Sequence, residues 1–110
     1  METIMNSETG EKFEVALKDF PHKMNWEQAR DACNGLGNSW RLPTNDEMEI
    51  IHHDLYRNGK GNFKDKKNKD YYWTSSKSPD DFILTFAFFD GRSFMGEEDD
   101  LNSVRVVRDL

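Results

Sequence analysis

Trp40-Arg41-Leu42-Pro43-Thr44 is the stretch on which the fold reading turns. Pro43 fixes the approach to a helix, Thr44 caps it, and Glu47 three residues later completes a capping box. Met48, Ile51 and Leu55 then recur at helical spacing as a buried stripe, and Gly59 and Gly61 stop the helix. Upstream the same grammar is repeated. Asn25 with Gln28 makes a capping box. Trp26, Ala29, Ala32, Cys33 and Leu36 form one apolar face, and Gly35 and Gly37 end it. Two short amphipathic helices therefore follow one another in the first half of the chain.

Away from the helices the pattern changes. Residues 1–11 are polar and read as frayed or weakly paired, whereas Phe13, Val15 and Leu17 alternate with polar or small neighbours as a half-buried strand. Arg57, Lys60, Lys64, Lys66, Lys67 and Lys69 make residues 57–69 a basic loop. Beyond it, Tyr71-Tyr72-Trp73-Thr74 is a strand. Residues 82–89 are apolar on both faces and so belong at the centre of a sheet. Asp90-Gly91 is a hairpin turn returning through Arg92–Met95. Glu97-Glu98-Asp99-Asp100 is an acidic loop, and Val104-Arg105-Val106-Val107-Arg108 closes the fold as a last strand. Helices that precede a run of antiparallel strands make an α+β protein, two helices packed on a twisted antiparallel sheet.

The bulk numbers agree with one globular unit. A chain of 110 residues has room for one core, here a single domain over 1–110. Charged residues make up 33% and hydrophobic ones 35%, but 13% are aromatic and bury large areas each. A formal charge of −6 argues against phosphate-backbone binding, so nucleic acid is not an expected partner. The single cysteine, Cys33, can form no intrachain disulfide, and it falls on an apolar helix face, where a thiol serves as a small hydrophobe. No apolar run approaches a membrane span, and the first residues are not a signal peptide. A cytoplasmic location is expected if this is the full native chain, and a surface or secreted one if it is an excised domain.

Taken in order, the Met24-to-Ala29 helix opening, Trp40-Arg41-Leu42-Pro43-Thr44, Tyr72-Trp73-Thr74-Ser75-Ser76, the Asp90-Gly91 hairpin and the closing Val104–Arg108 resemble a known family. It is the bacterial domain family of the Legionella collagen-like adhesin C-terminal domain. The resemblance spans about residues 13–108. It implies a C-type-lectin-like fold, related to that of the formylglycine-generating enzymes, and a rigid scaffold for variable ligand-binding loops. Some members resemble adhesins that bind glycosaminoglycans or other polymers. The paired cysteines and the Glu-Pro-Asn, Gln-Pro-Asp and Trp-Asn-Asp triplets of calcium-dependent lectins are missing here, as are the copper-binding cysteines of the formylglycine-generating enzymes.

The residues sort into framework and surface. Trp26, Trp40, Arg41, Leu42, Pro43, Trp73, Ser75, Arg105 and Arg108 sit at element junctions, and read as internal staples of rings, guanidinium planes and buried carboxylates more readily than as a ligand cage. Adjacent His52 and His53 point about 100° apart on a helix, which suits a solvated face better than a metal site. Glu97, Glu98, Asp99 and Asp100, with Asn102, carry the ligand types calcium prefers, in a spacing that matches no calcium loop. No catalytic constellation stands out, so an enzyme is not expected. The expected function is a non-enzymatic binding module for a protein or polysaccharide, met by loops 57–70 and 90–103, with Lys64, Lys66, Lys67, Tyr71, Arg92 and Asn102 as candidate contacts. An enzyme of undetected type, or a structural piece of a phage or cell-envelope assembly, are the alternatives.

Overall fold

A computed structural model describes residues 2–5 and 9–110. Strand β1 (Glu2–Met5) and strand β2 (Lys12–Val15) lead into helix α1 (Trp26–Leu36) and helix α2 (Asn45–Asp54), the latter followed by a single 3-10 turn at Tyr56–Asn58. Strands β3 (Tyr72–Lys77), β4 (Ile83–Ala87), β5 (Arg92–Gly96) and β6 (Val107–Asp109) complete the α+β fold. Both capping boxes form: the Asn25 and Thr44 side chains accept from the Gln28 and Glu47 amides, and those side chains bond back to the cap amides.

The strands make two sheets instead of one. The first has the order β1-β2-β6 and the second β3-β4-β5, each three-stranded and antiparallel throughout. The reason lies in the closing segment. The final strand was expected over Val104–Val107, but the strand begins only at Val107. Residues 102–107, all buried, run between the sheets. On one side the Ala16 and Phe20 amides donate to the Val106 and Val104 carbonyls, and on the other the Trp73 amide donates to the Ser103 carbonyl, each at 3.0 Å. One stretch of chain thus laces both sheets together.

The N-terminus also departs from expectation. Glu2–Met5 is a paired strand because Ile4 lies opposite Phe13 and both are buried in the core. Residues 1 and 6–8 of the expected frayed stretch lie outside the described residues. Leu17, expected in the first strand, is 58% exposed, since β2 ends at Val15 and Ala16 turns away to bond Val106.

Two clusters form the core. One gathers Phe13, Val15, Met48, Ile51, Tyr72, Phe86 and Phe88 under α2; the other gathers Ala29, Cys33, Leu42, Trp73, Val104 and Val106 under α1. The central position expected for residues 82–89 is held by β4, but the strand is shorter: Phe82 precedes it and is 50% exposed, and Phe88 and Phe89 belong to the turn. The histidine pair divides. His53 is exposed, but His52 is half-buried, stacked on Tyr56 at 5.2 Å and on Phe88 at 6.0 Å. Its face of α2 is packed on the β4–β5 turn, which the helical period alone did not reveal.

Candidate functional site

The arginines and tryptophans at the element junctions make a connected framework. Arg105, only 2% exposed, pairs through Nε with Asp19 Oδ1 at 2.7 Å. It also donates to the carbonyls of Ala16, Gly61 and Asn62 and lies 4.3 Å from the centre of the Phe63 ring. Asp19 accepts as well from the Tyr72 hydroxyl at 2.7 Å. Burial, then the charge of Asp19, pushes the Tyr72 phenol well above its ordinary range. The base of the lysine loop is thereby tied to the core.

Arg41 grips Glu47 in a two-pronged pair, both contacts 2.7 Å, and reaches Asp109 at 2.7 Å. Burial alone would raise Glu47, but the Arg41 pair and the Thr44 amide outweigh it and hold the carboxyl below its usual value. Asp109 is lowered by the same arginine. Trp73 is wholly buried and donates through Nε1 to the Met24 carbonyl at 2.7 Å. Trp40 lies under Arg108 at 4.8 Å, and Arg108 pairs with Glu14. Half-buried Trp26 donates to the Thr74 carbonyl beneath Arg30, 5.1 Å from its ring. Buried Leu42 and Pro43 seat the entry to α2, and the Pro43 carbonyl accepts from the Ser75 amide at 2.9 Å.

On this framework the loops around 70 and 100 converge. Tyr71 and Asn102 line one shallow concavity of about 220 Å³, together with Thr85, Phe94, Met95, Gly96 and Asp100. Tyr71 meets Phe94 edge-on at 5.5 Å and Phe89 at 6.0 Å. Asn102 is 7% exposed, positioned by paired backbone bonds with Met24 at 3.0 Å. An aromatic wall, an amide and a carboxylate share one hollow. Gly96 matters to its floor, because a Cβ there would meet Thr85 and Trp73 at 2.9 Å.

The remaining candidate contacts lie elsewhere. Lys64, Lys66 and Lys67 are exposed on the adjoining loop and do not line the concavity. Their loop is pinned by the Lys64 amide donating to the Tyr72 hydroxyl and the Lys66 amide donating to Asp70. Arg92 is exposed at the start of β5, also outside the hollow. Thr85, Phe94, Met95 and Gly96 were not among the sequence candidates. Their signal was present as two adjacent apolar residues and a glycine on a returning hairpin strand, where strict alternation would place one polar.

Carboxylate oxygens of Glu97, Asp99 and Asp100 lie within 4.8 Å of one another, all three residues exposed, while Glu98 falls outside the group. Calcium takes six to eight oxygens, so three from one open turn would leave most of the shell to water. A second hollow of about 280 Å³ is mainly apolar, with Phe20, Leu36, Trp40 and Val106 in its walls. A third, about 200 Å³, is lined by Trp26, Arg30, Cys33 and Arg41. Burial pushes the Cys33 thiol up to about 11, which keeps it protonated and poorly nucleophilic at neutral pH.

The profile of the Lcl C-terminal domain matches residues 4–108, nearly the entire chain. The chain belongs to the Lcl C-terminal domain family. No curated protein matches it significantly. Among solved structures, this Lcl C-terminal domain is similar to one chain of a complex between a mutant von Willebrand factor A1 domain and botrocetin. The TM-score is 0.55 at 10% identity, covering 96% of this chain and 95% of that one. The likeness extends over nearly the whole of both chains and concerns the fold.

Proposed function

We propose that this domain is a non-enzymatic binding module of C-type-lectin-like architecture whose ligand is a polysaccharide or a protein. The observation that carries the reading is the hollow between Tyr71, Phe94, Asp100 and Asn102, at the meeting of two polar loops of opposite charge. An aromatic face beside an amide and a carboxylate offers a sugar ring both a stacking surface and directed hydrogen bonds. Lys64, Lys66 and Lys67 on the adjoining loop add positive charge for an anionic stretch of the same ligand. The non-enzymatic part is supported by the two carboxylates that Arg41 holds below their ordinary range. Glu47 and Asp109 are both committed to Arg41 and line none of the three hollows described.

Membership of the Lcl C-terminal domain family supports the module reading. So does the similarity to a chain solved within a protein complex, which favours a protein ligand as the second reading. The test is binding to immobilised heparin as an anionic polysaccharide, dextran as a neutral one, and a panel of extracellular-matrix proteins. Tyr71→Ala should weaken binding about tenfold, near 1.4 kcal/mol, with the far-ultraviolet circular dichroism of the folded domain retained. Combined Lys64→Glu, Lys66→Glu and Lys67→Glu should abolish heparin binding and spare dextran. Affinity indifferent to both sets of changes would remove this face as the ligand site.

A further inference from the structure

β5 is an edge strand that the fold leaves open. Among the described residues its backbone ladder runs to β4 alone, and four of its five residues, Arg92 to Met95, are exposed. Such an edge presents unpaired amides and carbonyls, and proteins usually blunt it with an inward charge, a proline or a covering loop. None of these stands within Arg92–Gly96. Instead the strand carries Phe94, 36% exposed, and Met95, 66% exposed, on opposite faces. The Thr85 hydroxyl donates to the Phe94 carbonyl, so the carbonyl of Phe94 turns inward and alternation directs the groups of Ser93 and Met95 to the free edge.

We propose that β5 pairs antiparallel with β5 of a second copy of the chain, joining two β3-β4-β5 sheets into one continuous sheet across a two-fold axis. The charge order of the strand selects this occupant. A positive residue, Arg92, opens β5, and the negative pair Glu97-Glu98 follows directly on its end. Antiparallel pairing with itself brings the basic start of each copy beside the acidic finish of the other, so both ion pairs form at once. Residues facing one another across a two-fold normal to the sheet must share a face. The axis therefore passes at one residue, either Phe94 or Met95. With Met95 facing Met95 of the second copy, each Arg92 lies directly opposite a Glu98, which fixes the register that forms both ion pairs. Phe94, Met95 and Gly96 also line the hollow, so the paired edge and the ligand site share β5.

Sedimentation equilibrium over a concentration series tests this on the full chain. The expected result is a reversible monomer–dimer equilibrium between 12.9 kDa and twice that mass. Met95→Lys should leave only monomer, with far-ultraviolet circular dichroism retained and the thermal midpoint equal to that of the dilute wild-type monomer, because Met95 is a surface residue. Arg92→Glu alone, and Glu97→Arg with Glu98→Arg alone, should each weaken dimerisation about tenfold or more, and the three changes together should restore it. A wild-type chain that stays monomeric at the highest soluble concentration overturns the proposal. So does a dimer indifferent to Met95→Lys, or a monomer that instead captures an extended peptide along β5.

Discussion

Arg105 carries its charge into a site that leaves it 2% exposed, where an ion without a partner costs several kcal/mol. Asp19, three carbonyls and the Phe63 face answer each of its polar edges. Removing one partner of such a pair is worse than removing both. Asp19→Ala is expected to lower unfolding stability by about 3–5 kcal/mol in urea titration, more than the double change Asp19→Ala with Arg105→Met. A double variant as unstable as the sum of the two single ones would deny the coupling. Alternation with Val104 and Val106 alone would turn Arg105 outward. It is buried because the segment passes between two sheets and has no solvent face, and because its carboxylate stands 86 residues away. Nothing local to Arg105 encodes that distance.

Helices were the most legible elements, since their signals are contained within a few residues. Each capping box occupies four consecutive positions, and Ala29, Cys33, Met48 and Ile51 bury as their spacing requires, whereas Leu36 at the end of the first stripe is 45% exposed. The ion pairs that fasten α2 respond to acid in a defined way. Folded Glu47 and Asp109 titrate below their ordinary values of 4.5 and 3.8, so their contribution is whole above that range and lost as pH falls through it. Folded His52 is lowered from 6.5, by burial first and then by the charge of Arg57. Below pH 6.5 the unfolded chain takes up a proton that folded His52 resists, so stability begins to fall there. Urea midpoints should therefore drop in two steps on acidification. His52→Gln should remove the first step and keep the second, and an unchanged first step in that variant would refute its assignment to His52.

At the scale of the whole molecule, stability depends on the closing segment that binds one sheet to the other. The amides of Ala16 and Trp73, bonded to Val106 and Ser103 from opposite sides, should exchange with deuterium at one shared, slow rate set by global unfolding. Markedly faster exchange at Ala16 would mean that the β1-β2-β6 sheet opens by itself. The expected single sheet failed for a related reason. Apolar spacing records that a segment is extended and buried, but not which neighbour it pairs with. The candidate site was legible only in part. Tyr71 and Asn102 stood out as polar-loop residues, whereas Phe94 and Gly96 gain meaning from Thr85 and Trp73 across the β3-β4-β5 sheet. The order of residues by itself determined the two capped helices, the central β4, the Asp90-Gly91 turn and the α+β class, because each depends on short-range periodicity and backbone preference. Only the tertiary structure decided the split into two sheets, the partner that Arg105 meets and the hollow beside Tyr71, because these arise from contacts between residues far apart along the chain.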